Sequence, residues 1–295
     1  MKSDFWFDQI PLWCVLLMTV VAVLISIWIG TLLGQRRRSK PDHEEDTSLG
    51  TIIGATMGLL AFMLAFTFGM AADRFQTRKQ LLLDEVNVIG TTYLRAGLLL
   101  EPHRSQVRSL LSDYVDIRIN LAKENVQSLD QKLAETKACS EVLHFQMWSH
   151  AMALAEADRS SEIDALFISS LNEMIHLHNS RITVLMYHIP STIWYVLYFI
   201  TILSMAIVGY QVGLSGKSVI KVSIVLALVF SSVVLLIADL DRAAEGSLRV
   251  SQEPLLELQK KIQRNQGQAN PQGKVEMHLD NRVGLASQNY TGMLR

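Results

Sequence analysis

Leu49–Ala72 reads LGTIIGATMGLLAFMLAFTFGMAA, and the chain continues from Asp73 as DRFQTRKQLLLDEVNVIGTTYLR. The first part has no charged residue. At about 1.5 Å per residue it reaches roughly 36 Å as a helix, enough to cross a bilayer with some tilt. No proline separates it from the charged, amphipathic segment that follows. The reading is one long helix, half in lipid and half in water, and the fold is organised around it.

Working outward, Pro11–Gly34 is a second uncharged run, with Trp13 and Trp28 near its ends as interfacial anchors. Gln35–Lys40, QRRRSK, is expected to stop it, and the acidic 41–46 completes a short charged loop. Residues 73–189 are polar, with apolar residues mostly three or four apart. Examples are Leu81, Val86, Ile89 and Tyr93; Val107, Leu111 and Tyr114; and Phe167, Leu171, Met174 and His178. This periodicity predicts helices throughout, and no alternating strand pattern with turn dipeptides occurs. Pro190 suits the first turn of a third span, Ser191–Leu214, where Trp194, Tyr195 and Tyr198 read as an interfacial belt. Val222–Ala238 is a fourth, shorter span. Leu255, Leu256, Leu258 and Ile262 mark an amphipathic helix ending near Lys260, Lys261 and Arg264, and the Gln/Asn/Gly-rich stretch from Asn265 reads as disordered.

The expected fold is therefore an all-α membrane protein. Two helices on each side flank a soluble helical bundle, and the second helix extends from the membrane into that bundle. The divisions are 1–48 (first span and charged loop), 49–72 (second span), 73–189 (soluble helical domain), 190–238 (third and fourth spans), 239–264 (amphipathic segment) and 265–295 (tail).

Composition agrees. The 295 residues are 49% hydrophobic and only 19% charged, with mean hydropathy +0.23, too apolar for an ordinary soluble domain. A net charge of −1 leaves no basic footprint for nucleic acid. The N-terminus lacks a basic region and a small-residue cleavage site, so a cleaved signal peptide is not expected. Cys14 and Cys139 lie in dissimilar surroundings, and neither a disulfide nor a zinc site is expected of them.

Catalytic patterns are missing: no GxSxG, P-loop, HExxH or CxxC is present. His176 and His178 fall on different helix faces, and His144 and His150 are poorly spaced for one face. They read as surface or partly buried histidines, so no metal is expected. Asp84-Glu85 and Asp113/Asp116 read as the solvated sides of amphipathic helices. The chain is not expected to be an enzyme or to carry a cofactor.

The second span is richer. Gly50, Gly54 and Gly58 recur every four residues, and Ala61, Ala65 and Gly69 continue a small-residue stripe. Such stripes let helices pack closely where lipid offers no hydrophobic drive. Beside it, Gly58, Phe62 and Phe66 share a face. Phe rings from several identical helices would form an apolar constriction, which gates ions by dewetting. Four spans enclose no evident internal path, so a pore would lie on an oligomer axis. Arg74, Arg78 and Lys79 follow just past Ala72, where cations would favour anions.

LAFMLAFTFGMAADRFQTRKQLLLDEVN resembles the second helix of bestrophins, the pentameric anion channels. The shared order is Phe66, Asp73-Arg74-Phe75, Arg78-Lys79 and Val86-Asn87. More closely, residues 49–262 are identified as a member of the bestrophin-like bacterial membrane family, a domain of unknown function. Four segments carry that resemblance: LLAFMLAFTFGMAADRF, DEVNVIGTTYLRAGLL, SDYVDIRI and DLDRAAEGSLRVSQEPLLELQ. It implies a homo-oligomer, a pentamer, in a bacterial inner membrane, conducting inorganic anions through a neck at Gly58, Phe62 and Phe66. Asp239, Asp241 and Glu245 resemble the family's acidic turn, but Arg242 and two alanines interrupt it, so calcium is not expected. Orientation is open from charge alone. Six cations (Arg36, Arg37, Arg38, Lys40, Lys217, Lys221) flank one side, and seven (Lys2, Arg74, Arg78, Lys79, Arg181, Arg242, Arg249) flank the other. The resemblance implies a cytosolic helical domain. The alternative is a non-conducting sensor or scaffold whose 73–189 domain binds a partner.

Overall fold

The computed structural model describes residues 10–39, 49–123, 129–215, 220–242, 248 and 250–269. Among them are eight helices and no strand: α1 Leu12–Arg38, α2 Leu49–Ala96, α3 His103–Lys123, α4 Leu129–Ala157, α5 Glu162–Leu185, α6 Ser191–Ser215, α7 Ile220–Asp241 and α8 Glu253–Ala269. Four of them, α1, α2, α6 and α7, are long and apolar enough to cross a membrane. The protein is an all-α membrane protein in which two spans on each side flank a helical bundle, and α2 runs unbroken over 48 residues.

Helix ends depart from the apolar runs in a consistent direction. Helix α1 continues through Gln35–Arg38 rather than stopping there. A cluster of arginines ends an apolar span but not a helix, because cations favour the negative end of the helix dipole. Helix α8 likewise continues through Ala269, into the stretch expected to be disordered. The remainder of that stretch lies outside the described residues.

The chain forms two compact units, Met1–Leu81 with Ser180–Val250, and Leu82–Asn179 with Ser251–Arg295. The unit boundaries fall inside α2 and α5. In the first unit α1 and α6 cross at backbone contact. A Cβ on Gly30 would collide with the carbonyl of Ala206, and one on Gly34 with that of Tyr210. Reciprocally, a Cβ on Gly209 would strike the Ile27 carbonyl, and one on Gly213 that of Thr31. These are two facing G-xxx-G pairs, the geometry that lets membrane helices approach most closely. Val15, Val23, Ile27, Leu60, Leu64, Trp194, Leu197, Met205, Val234 and Ile237 form the surrounding core. Thr19 Oγ1 lies 2.8 Å from the Tyr198 hydroxyl, tying α1 to α6 with a hydrogen bond. Trp194 is buried and Tyr198 is partly buried in this unit, and of the expected aromatic belt only Tyr195 is exposed. The three do not share one face of a helix, so packing claims the first and third.

The second unit is a helical bundle built on four apolar stripes. Ile89, Tyr93 and Ala96 come from α2, Val107, Leu111 and Tyr114 from α3, Met147, Ala151 and Leu154 from α4, and Phe167, Leu171 and Met174 from α5. Leu255, Leu258 and Ile262 of α8 complete this core. The three-to-four spacing puts each set on one helix face, and burying those faces against each other is the dominant favourable term.

Candidate functional site

Two features in the described residues are built from the groups the sequence singles out, or from groups it conceals. The first is the outward face of α2 and its exit from the membrane-spanning part. Leu60, Leu64, Thr67 and Ala71 turn into the first unit. Gly50, Gly54, Gly58, Ala61, Ala65 and Gly69 are all exposed, and so are Phe62 and Phe66. A Cβ placed on Gly50, Gly54, Gly58 or Gly69 would meet nothing within 4 Å. Among the described residues the glycines of this stripe thus face open space; the close approach belongs to Gly30, Gly34, Gly209 and Gly213. The Phe62 and Phe66 rings are stacked with centroids 6.4 Å apart and are 64% and 52% exposed. Large apolar side chains left out on this face are compatible with lipid or with another copy of the helix, and not with water.

Past Ala72 the three cations part company. Lys79 is exposed and Arg74 is half-buried. Arg78 is buried, and its Nη2 donates to the carbonyls of Leu240 at 2.6 Å and Asp241 at 3.1 Å. Those carbonyls belong to the last turn of α7, whose final C=O groups have no partner within the helix. A guanidinium there satisfies them and complements the dipole. Asp241 turns its carboxylate to the backbone N–H of Ile189, which donates to both oxygens at 3.0 and 3.1 Å. Asp239 is buried beside it, and Glu245 lies outside the described residues. The acidic turn thus acts as a clasp: Arg78 holds the end of α7, and Asp241 holds the chain entering α6.

The second feature is a polar layer across the second unit's core. Glu85 on α2, Tyr114 and Arg118 on α3, His144 on α4 and His178 on α5 are all buried. Each sits on the apolar stripe of its helix. His144 precedes Met147, Ala151 and Leu154, and His178 follows Leu171 and Met174. Arg118 Nη2 pairs with Glu85 Oε2 at 3.2 Å, with the two side chains 2% and 0% exposed. The Tyr114 hydroxyl donates to Glu85 Oε1 at 2.9 Å and lies 2.9 Å from His178 Nδ1. The His144 ring stands edge-on to His178 at 4.8 Å and lies 5.0 Å from Tyr114. Burial first, and the Arg118 cation second, lower the His144 pKa to about 4 against partial opposition from the Glu85 anion. Glu85 is thus not on a solvated face, and two histidines far apart in sequence stand ring to ring. Asp116 instead accepts a 2.6 Å hydrogen bond from Gln259 of α8. Among the described residues no three His, Cys, Asp or Glu side chains are placed to hold a metal ion.

Residues 16–255 match the family model of the Bestrophin-like domain. Two crystal structures of a bacterial Bestrophin homologue from Klebsiella pneumoniae, each a point mutant, are similar at 16% identity. The matches cover 85% of this chain and 97% of theirs, with TM-score 0.60. A third structure of a bacterial Bestrophin homologue from that organism, solved by Zn-SAD phasing, is 17% identical. It is covered over 95% of its length and 85% of this chain, with TM-score 0.57. At such identity the likeness is one of fold. No curated protein sequence matches the chain.

Proposed function

We propose, from the premise that the chain belongs to the Bestrophin-like domain family, that it is a homo-oligomeric, anion-conducting membrane protein. The observation that carries this reading is the bare face of α2. Helices α1 and α6 use their glycine pairs inside the chain, whereas a Cβ on Gly50, Gly54, Gly58 or Gly69 of α2 would meet open space among the described residues, and Phe62 and Phe66 beside them stay exposed. A second copy of α2 is the occupant that fits a stripe of small residues beside stacked aromatic rings. Repeated about an axis, as in a pentamer, the helices would set Gly58, Phe62 and Phe66 around a narrow apolar neck. Such a neck holds ions back by the work of dehydrating them and passes them when it widens.

Arg74 and Lys79 are the cations free to bias the exit toward inorganic anions. Arg78, engaged with the end of α7, positions the wall instead of meeting the ion. The lipid bilayer, a bacterial inner membrane, surrounds the spans, and the helical unit lies on the cytosolic side. No enzymatic step and no cofactor enters this reading.

Chloride efflux from liposomes holding the purified protein is the test. Efflux is expected, with Phe62→Ala and Phe66→Ala raising it severalfold by widening and wetting the neck. No flux from the wild type, together with no change in either variant, would remove the reading.

The second reading, a non-conducting scaffold, draws on exposed apolar residues of the helical unit, namely Leu94, Leu98, Leu100 and Phe145. Exposed apolar groups gathered on one unit mark interaction surfaces. A stoichiometric partner held by the full-length chain, lost on Phe145→Glu and accompanied by no flux, would favour it.

A further inference from the structure

The polar layer of the helical unit can be resolved proton by proton. The Tyr114 hydroxyl has one proton, and it goes to Glu85 Oε1. The 2.9 Å contact with His178 Nδ1 must then be an N–H donating to the Tyr114 oxygen. That fixes the His178 tautomer with its proton on Nδ1. Donors run from His178 to Tyr114 to Glu85, and from Arg118 to the second oxygen of Glu85. One anion and one cation balance only while both imidazoles are neutral.

His144 decides what happens when they are not. The groups facing it are Glu85 from α2, Tyr114 and Arg118 from α3, and His178 from α5. Its Nε2 is buried without a hydrogen-bond partner, as is the Oγ of Ser140 one turn earlier on the same helix. Protonating His144 would put a second cation in a dry core beside Arg118, with the one nearby carboxylate already engaged on both oxygens.

We propose that this layer is an acid-sensitive lock on the helical unit, in which protonation of His144 loosens α4 from its neighbours. The inference concerns the packing of this unit and stands whether or not the chain conducts. Glu85 lies on the same helix as Phe62 and Phe66, so the lock is built onto the helix that also carries the bare face.

The direction follows from burial. His144 binds its proton more weakly when packed, at about 4, than in an opened chain, near the ordinary 6.5. The stabilisation is complete above about pH 6.5 and is lost as pH falls toward 4. At pH 5 the packed-to-opened ratio falls about 30-fold from its neutral value.

Hydrogen–deuterium exchange of the full-length protein in detergent, corrected for intrinsic rates, reads this out. Peptides around His144 in the wild type are expected to lose about 30-fold of protection between pH 7.5 and pH 5, and to regain it on return. Peptides of α6 are expected to stay unchanged. His144→Phe keeps the ring, removes the titration, and should hold its protection at pH 5; His144→Gln serves if the Phe variant fails to pack. Wild-type protection that ignores pH would overturn the proposal, and so would a non-titrating variant that loses protection as the wild type does.

Discussion

Replacing Arg118 with Met tests the buried layer hardest, because the structure sets both the size and the pH dependence of the damage. The side chains of Arg118 and Glu85 are 2% and 0% exposed and meet at 3.2 Å. At an effective dielectric of about 20 that pair interacts by about 5 kcal/mol. Arg118→Met keeps much of the stem but removes the cation paired with the buried carboxylate. A carboxyl buried without its cation can avoid that cost by taking a proton. At pH 7 this costs a glutamate of ordinary pKa, near 4.3, about 3.5 kcal/mol, which caps the electrostatic loss. The cap shrinks to about 1 kcal/mol at pH 5, because the opened chain is then closer to protonated as well. Arg118→Met is therefore expected to lower the opening free energy of the helical unit by about 3–4 kcal/mol at pH 7, and by much less at pH 5. Native-state hydrogen exchange of α3 amides in detergent measures it. Lys137→Met is the control. It breaks an exposed i,i+4 pair with Glu141 at 3.8 Å and should change stability by less than about 1 kcal/mol. Adding Glu85→Gln to Arg118→Met should recover much of the loss by removing the orphaned charge. An Arg118→Met defect below about 1 kcal/mol at pH 7, or one that grows in acid, would refute the reasoning.

Other outcomes follow from the same geometry. Gly209→Val drives a side chain into the Ile27 carbonyl and should prevent stable folding of the spans, seen as loss of monodisperse protein on size exclusion. Gly54→Val enters open space within the chain and should leave each subunit folded while weakening its association. Asp241→Ala strands the buried N–H of Ile189, at about 1–3 kcal/mol, and should lower the melting temperature in detergent. Arg78→Met removes charge-assisted bonds to the α7 terminus at a similar cost, and should lower the melting temperature more than Lys79→Met does.

The spans and the helical bundle were legible because apolar length and three-to-four spacing are local properties. The continuity of α2 from Leu49 to Ala96 was legible for the same reason: no proline or glycine cluster interrupts the change from lipid-facing to amphipathic pattern. Packing partners were not. Gly50, Gly54 and Gly58 repeat at the same interval as the Gly30/Gly34 and Gly209/Gly213 pairs, yet among the described residues only the latter meet another helix. Spacing identifies a stripe suited to close approach and says nothing of what approaches it. Arg74 and Arg78 share a helix face in sequence, but only Arg78 reaches the carbonyls ending α7, more than 160 positions away. The buried layer was the least visible feature. Glu85 reads as part of a solvated face and His144 and His178 as surface or partly buried, and their burial depends on each finding its complement on another helix. The available signal was register: His144, Met147, Ala151 and Leu154 share one stripe, as do Phe167, Leu171, Met174 and His178. A polar residue in line with a core stripe is a candidate for burial with a partner.

The central claim is that the bare face of α2 meets the same face of another copy. Disulfide cross-linking in the membrane tests it most directly. Cys14 and Cys139 are first replaced by serine, and a single cysteine is then placed at Phe62 or, as a control, at Trp28, which is equally exposed on α1. The account predicts a covalent dimer on mild oxidation for Phe62→Cys and none for Trp28→Cys. A chain that stays monomeric at Phe62→Cys, or cross-links as readily through Trp28→Cys, would contradict it.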